Sequence, residues 1–273
     1  MQQSEYVYNV MKEGQVRIKT RKGQDAWRDG VMKVQADFMH MKKHNDLARD
    51  TDDRQVTIGS TGQRNITSAL SGKDIVIYGT PGNALGCYLN GCTIHVYGNT
   101  LEATGDTMNS GKIYVHGSCG DATGYAMRGG SILIEGNSGY RTGIHMMKAY
   151  KDKLPVIVIG GAAGSFLGEY QAGGVIIVLG INTQAKSIVG NFCGTGMHGG
   201  KIYLRCKEKE LPQVLPKQVT VRPATEEDMS AIDEYIDDYC IAFKAEKRGI
   251  LHHDFYVLEP DTINSYKPLY RYS

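Results

Sequence analysis

The chain has 273 residues, 34 of them glycine and seven proline, with a formal net charge of +2 and 22% charged residues. Glycine averages about 7% of a soluble chain; the excess here lacks the three-residue period of collagen, and the near-neutral balance excludes a basic nucleic-acid binder or an acidic tail. No apolar run resembles a signal peptide or a membrane span, so a soluble, cytoplasmic chain without nucleic-acid or membrane partners is expected.

Residues 1–54 show no repeat and are expected to form an N-terminal cap. Within them "VMKVQADFMHMKKHNDL" has a weak helical period and is expected to cover the first coil of the repeats that begin at residue 55. An open sheet end exposes unpaired strand groups, which is why such a cover is needed. Basic pairs such as Arg21-Lys22 and Lys42-Lys43 read as solvated surface.

Residues 55–206 repeat. Gly86, Gly105, Gly124 and Gly143 are each 19 residues apart, and so are Gly79, Gly98, Gly117 and Gly136. The apolar pairs Ile75/Ile77, Ile94/Val96, Ile113/Val115 and Ile132/Ile134 keep the same step. After "GIHMMKAYKDKLP" the register shifts, with 25 residues from Gly143 to Gly168. The pattern resumes with Val156/Val158, Ile176/Val178 and Ile202/Leu204, which makes about seven coils. Each unit reads as a glycine bend followed by a short alternating strand. A unit of 19 residues without a helical pattern is too short for helical repeats and suits a parallel β-helix of one chain. Gly86, Gly105, Gly124, Gly143, Gly168 and Gly194 are then structural, supplying positive φ or close backbone approach at the corners.

Few residues in the repeat carry chemistry. Leu89, Met108, Met127, Met146 and Met197 form a stripe that reads as interior filling rather than a soft-metal ladder. His95 and His116 read as equivalent sites on successive coils, facing solvent or a partner. The departure from the repeat at residues 144–155 marks a working face. Arg141, His145 and Lys148, with Arg128 and His198 in nearby turns, form a candidate partner interface able to hold a carboxylate or a neighbouring subunit. A local salt bridge is the commoner outcome for such residues. "GGAAGSFLG" lacks the helix that a dinucleotide-binding GxGxxG requires and reads as a corner. The six cysteines, Cys87, Cys92, Cys119, Cys193, Cys206 and Cys240, show no CxxC and read as reduced thiols. No catalytic, cofactor-binding or metal-ligating residue is assigned.

Residues 207–273 form a linker, a helix and a tail. "TEEDMSAIDEYIDDYCIAFKAEKRG" starts with Thr225 as N-cap and Asp228 three residues on. Met229, Ile232, Ile236, Tyr239 and Phe243 follow helical spacing, and Gly249 is the expected stop. Tyr266, Tyr270 and Tyr272 in the tail are expected to dock on a partner or to fold back on the chain.

At "GTPGNALG", "MNSGKIYVHG", "GYAMRGGSILIEG", "YRTGIHM", "KLPVIVIGGAAGSFLGEYQAGGVIIVLG" and "GTGMHGGKIYLR" the chain resembles the GXGXG domain of glutamate synthase. The resemblance implies an all-β fold, a right-handed parallel β-helix with an N-terminal cap and a C-terminal helix. It also implies a non-catalytic structural subunit of a glutamate-synthase-type complex. The partners would be a class-II glutamine amidotransferase-like subunit and a synthase subunit carrying FMN and an iron–sulfur cluster, with no cofactor in this chain. A more distant likeness is to the β-helix subunit of formylmethanofuran dehydrogenase, and N-methylglutamate-synthase-type complexes share the arrangement. An independent enzyme using Arg141, His145 and Lys148 is the remaining alternative.

Overall fold

The computed structural model describes residues 16–19, 25–28, 31–36, 39–50, 54–148, 153–181, 183 and 187–261. Arg21-Lys22 and the tail tyrosines Tyr266, Tyr270 and Tyr272 lie outside them.

Strands β1 (Val16–Lys19) and β2 (Asp25–Arg28) pair as an antiparallel hairpin. β3 (Val31–Gln35) and helix α1 (Met41–Asp50) come next. Then come β4 (Arg54–Thr61), β5 (Asp74–Thr80), β6 (Asn90–Tyr97), β7 (Ser110–Val115) and β8 (Gly130–Ile134). β9 (Pro155–Ile159), β10 (Ala172–Val178) and β11 (Gly199–Arg205) complete the run. β12 (Val219–Pro223), α2 (Glu226–Phe243), α3 (Lys247–Leu251) and β13 (Phe255–Pro260) end the described chain. From β3 to β11 each strand pairs in parallel with the next in sequence. A chain that winds forward one coil at a time produces that order. The result is a β-solenoid of about six turns, with β13 and β12 added antiparallel at its C-terminal edge.

The repeated apolar pairs fall on β5 to β11. Ile75, Ile94, Ile113, Ile132, Ile157, Ile176 and Ile202 stand in register as one fully buried column. The pair expected at Val156/Val158 is therefore shifted by one residue: Ile157 and Ile159 face the interior, and Val156 and Val158 face outward under α2. All five residues of "PVIVI" are buried, so this strand shows no alternation from which to read its register.

The methionine stripe is interior filling, as expected: Leu89, Met108, Met127 and Met146 are fully buried and Met197 nearly so. The column's missing member is Gln171. Also fully buried, it donates from its amide to the carbonyls of Gly173 (2.9 Å) and Gly174 (3.2 Å).

His95 and His116 do not occupy equivalent sites. His95 is paired in register with Tyr114 and stacks on it at 4.5 Å, while His116 stacks on Tyr97 at 4.2 Å. The two histidines lie two strand positions apart, on a diagonal, with ring centroids 5.8 Å apart. Neither ladder is all histidine.

The segment expected to be helical from Val31 divides into β3 and α1. α1 closes the N-terminal end of the stack, where the inward residues of β4 turn polar: Gln55 and Thr57 stand in register with Ile75 and Ile77. His44 of α1 lies over them, its Nε2 2.8 Å from Thr57 Oγ1 and 3.1 Å from Gln55 Nε2. Asn45 donates to Asn65 O and accepts from Thr67 N. Burial lowers the His44 pKa from 6.5 to about 4.

The unfolded chain thus binds a proton at His44 that the folded chain refuses. Its contribution to stability is complete above the unfolded value and is lost as pH falls from there toward the folded one. Lowering the pH from about 7 to about 5 is expected to cost about 2 kcal/mol through this residue. Urea unfolding of the wild type and His44→Gln across that range checks it. Equal pH slopes in the two proteins would contradict the assignment.

At the other end, α2 opens on Thr225, which accepts from Asp228 N, while Asp228 accepts from Thr225 N. α2 ends at Lys244 with φ +57. Gly249, expected to stop this helix, instead lies inside α3. Lys244 turns the chain without a glycine, and Lys247 reaches back to Asp233 and Asp237 at 2.7 Å each. Ile232, Ile236, Tyr239 and Phe243 pack on the outer face of the sheet against Leu133, Val158, Ile177 and Tyr203. Strands β8 to β10 are thus buried on both faces, which is why they read as continuous apolar runs.

Candidate functional site

Between strands every coil makes a bend in which alternate residues have positive φ. In one coil these are Ala122 (+53°), Gly124 (+70°) and Ala126 (+48°); in the next, Arg141 (+59°), Gly143 (+71°) and His145 (+55°). The outer two donate forward to the following coil and the central one donates back. Ala122 N meets Tyr140 O at 2.7 Å, Ala126 N meets Ile144 O at 2.9 Å, and Gly124 N meets Thr104 O at 2.8 Å. The bends therefore satisfy these backbone donors without being strands.

Positive φ alone does not select glycine, since alanine, arginine and phenylalanine adopt it in the outer positions. The central position points inward. A side-chain carbon on Gly143 would stand 2.5 Å from Ile176 Cδ1, on Gly168 2.7 Å from Ile202 Cδ1, and on Gly86 2.9 Å from Ile113 Cδ1. Gly105 and Gly124 are tighter still, against Ile132 and Ile157, and Gly194 faces Val219. In the second glycine series such a carbon would strike backbone; for Gly117 it would lie 2.5 Å from Gly98 O.

The outer positions point away from the core and create the bend face. Arg141 and His145 both stand on it. Arg141 Nε lies 2.8 Å from Glu169 Oε2, a carboxylate whose side chain is only 8% exposed. The Arg141 guanidinium also sits over the rings of Tyr140 (5.0 Å) and Phe166 (5.6 Å). The local salt bridge named as the commoner outcome is what Arg141 makes. His145 stacks on Tyr170 at 5.2 Å and meets Tyr125 edge-on at 5.8 Å.

Arg128 and His198 lie to one side, in a column with Met147 and Ala172. Each of the four donates its backbone N–H to the methionine-column carbonyl of the preceding coil. Lys148 comes directly after Met147 and is exposed, as are Arg128 and His198. The five residues singled out in the sequence thus share one side of the solenoid, on adjoining columns.

Sequence reasoning missed the aromatic residues beside them. Phe166 packs at a tilt against Phe192, with ring centroids 4.8 Å apart, and against Tyr140 at 5.1 Å. Tyr125, Tyr140, Tyr170 and Phe192 are all exposed large side chains. Their signal was present: aligned on the central glycine, Phe166 and Phe192 fall in the column of Arg141, and Tyr170 falls in that of His145.

A groove of about 600 Å³ lies between α2 and the sheet, lined in part by Lys112, Lys153, Tyr235, Asp238 and Ile241. Asp238 accepts from Lys112 Nζ (2.6 Å) and Tyr114 OH (2.9 Å). Burial pushes the Cys119 and Cys193 thiols up to about 12 and Cys206 to about 11. Among the described residues no group of three or more His, Cys, Asp and Glu side chains is placed to hold a metal ion, and no helix is long and apolar enough to cross a membrane.

Coiled parallel strands, glycine bends and an interior filled by apolar side chains define a β-solenoid protein whose most elaborated surface is its bend face. The chain belongs to the GXGXG motif family, which matches residues 53–260. The bends explain that spacing, because residues i, i+2 and i+4 are the ones with positive φ; in the last coil Gly194 and Gly196 are both glycine. The chain is also similar to the uncharacterized protein MJ1350 of Methanocaldococcus jannaschii, at 45% identity over 208 residues, covering 74% of this chain and 78% of that protein.

Proposed function

We propose that the chain is a structural subunit of a glutamate-synthase-type complex. It would organise a glutamine amidotransferase-like subunit and a synthase subunit that carries FMN and an iron–sulfur cluster. The observation that carries this reading is the use of the fold: coil after coil is stacked around a solid interior, and the outer sheet face lies under α2. What remains is a long, rigid bend face with exposed aromatic and basic side chains, the composition of a protein interface. Membership of the GXGXG motif family supports the choice of complex.

Purification from the native host tests it. An amidotransferase-like protein and a flavoprotein are expected to travel with the chain. A molybdopterin-type subunit in their place would assign it to a formylmethanofuran-dehydrogenase-type complex. Recovery without either set of subunits would overturn the scaffold role.

A further inference from the structure

α2 crosses the outer sheet face along one row of strand residues. Lys201, Val175, Val156, Ser131 and Lys112 stand in register from β11 to β7. Asp228 in the first turn of α2 accepts from Lys201, and Asp238 near its end accepts from Lys112. The groove of about 600 Å³ opens beside the second half of the helix, on the side where the strands begin. Its floor is small, with Gly111 and Gly130 in it, and Leu154, Tyr235 and Ile241 supply its apolar walls. Ile241 is 80% exposed, more than any other large apolar side chain among the described residues. A lone exposed isoleucine is ordinary; one that shares a groove with half-buried Leu154 and Tyr235 offers an apolar contact to whatever enters.

Charge narrows the choice of occupant. α2 contains no basic residue, and exposed Glu234 stands at the groove. The sheet side carries Lys112, already engaged by Asp238, and Lys153. The acid therefore lies along the helix side, where a basic segment with apolar side chains fits best.

The chain itself supplies such a segment on the same side. β13 runs antiparallel to β11 with Leu258 opposite Ile202, so the residues that follow pass the start of β11, where Asp261 N donates to Gln218 O. Residues 262–273, TINSYKPLYRYS, carry Lys267 and Arg271, no acidic side chain, and Tyr266, Leu269, Tyr270 and Tyr272. Neighbouring strands lie about 4.8 Å apart, which puts the groove about 14 Å from β13 at β9 and about 24 Å away at β7. The segment reaches up to about 40 Å when extended, and Pro268 favours an extended Lys267 before it. A short tether gives it an effective concentration of about 1 mM, enough to fill a shallow groove that binds the same peptide weakly from solution.

We propose that this groove is the docking site of the chain's own residues 262–273. Tyr266 to Tyr270 lie across it, with their apolar side chains against Leu154, Tyr235 and Ile241 and with Lys267 and Arg271 along the acidic flank of α2. Of the two expectations for the tail tyrosines, this is folding back on the chain. The docking goes beyond the scaffold role and does not depend on it.

Chymotrypsin digestion of the full chain, followed by the mass of the protein, tests the docking, because cleavage after Tyr266 or Tyr270 requires the tail to leave the groove. The wild-type tail is expected to be cut at least about tenfold more slowly than a synthetic peptide of residues 262–273. Glu234→Lys with Ile241→Asp is expected to raise the rate to that of the peptide. Both side chains are exposed, so the fold tolerates the changes, which an unchanged thermal melt would verify; Ile241→Leu is expected to keep the slow rate. A wild-type tail cut as fast as the peptide, or equally slow cleavage in the double variant, overturns the proposal. So does protection that is lost on dilution, which would place the tail in the groove of a second copy.

Discussion

Gly124→Val is expected to destabilise the solenoid by about 2–5 kcal/mol, a large part of the total stability of an ordinary domain. Two separate penalties combine. The backbone at Gly124 has φ +70, where a β-branched residue is strained by about 1–2 kcal/mol. The new side chain also enters the interior against Ile157, with Ile132 behind it, and overpacking of this kind costs about 1–3 kcal/mol. Ala122→Val separates the two, since Ala122 has φ +53 and is already a non-glycine residue facing outward; only the strain is expected there. Denaturant midpoints of both variants read the difference directly. If the two lose the same stability within about 0.5 kcal/mol, inward projection is not what reserves the central position for glycine. Because every coil rests on its neighbours, the damage is expected to spread from the middle of the stack rather than stay local.

The same inward projection explains what could be read from the sequence. The position where a side chain collides is glycine in the coils from Gly86 to Gly194, while Thr67 fills it in the coil beneath α1, so the 19-residue spacing from Gly86 to Gly143 was visible without coordinates. Interior columns were legible wherever one strand face was buried, as in β6, where Ile94 and Val96 are buried and His95 is only half so. Legibility failed where burial was two-sided. β9 gave no alternation, and its register came out one residue wrong. The end strand β3 was hidden because it joins one neighbour and lacks the repeat's glycines. The aromatic residues of the bend face escaped notice for the opposite reason: one outer column runs Ala84, Ala103, Ala122, Arg141, Phe166 and Phe192, and the other Tyr88, Thr107, Ala126, His145, Tyr170 and Gly196. Nothing inside the stack constrains an outward position, so it shows no period. Arg141, His145 and Lys148 were found because they sat in or beside an irregular stretch, and Arg128 and His198 as nearby turn residues, not because the bend geometry was understood.

Asp228→Ala is expected to cost about 3 kcal/mol and to loosen α2 from the sheet. The Asp228 side chain is only 4% exposed. It accepts from both terminal nitrogens of Arg222, from Lys201 Nζ at 2.7 Å, and from Thr225 N and Oγ1 at 3.0 and 2.9 Å. Arg222 above all, then Lys201 and Thr225, holds its carboxyl far below the usual carboxylate range. Loss of a helix-capping residue costs about 1 kcal/mol, and breaking a buried pair about 3–5 kcal/mol. The lower end applies here because Arg222 and Lys201 are more than a third exposed and recover water. Asp228→Asn keeps an acceptor for the cap and removes the charge, so it is expected to lose less. The two variants, compared by urea unfolding, divide the cap from the ion pairs. The folded pKa being depressed, this stability is present above about pH 4, the unfolded value, and fades only as pH falls below it. Acid therefore acts at the two ends of the solenoid in sequence: first at His44, where a neutral ring resists protonation, and at lower pH at Asp228, where a carboxylate resists losing its charge. If mild acid instead frees α2 while α1 stays packed, seen as earlier exchange of α2 backbone amides, the order of these two titrations is wrong.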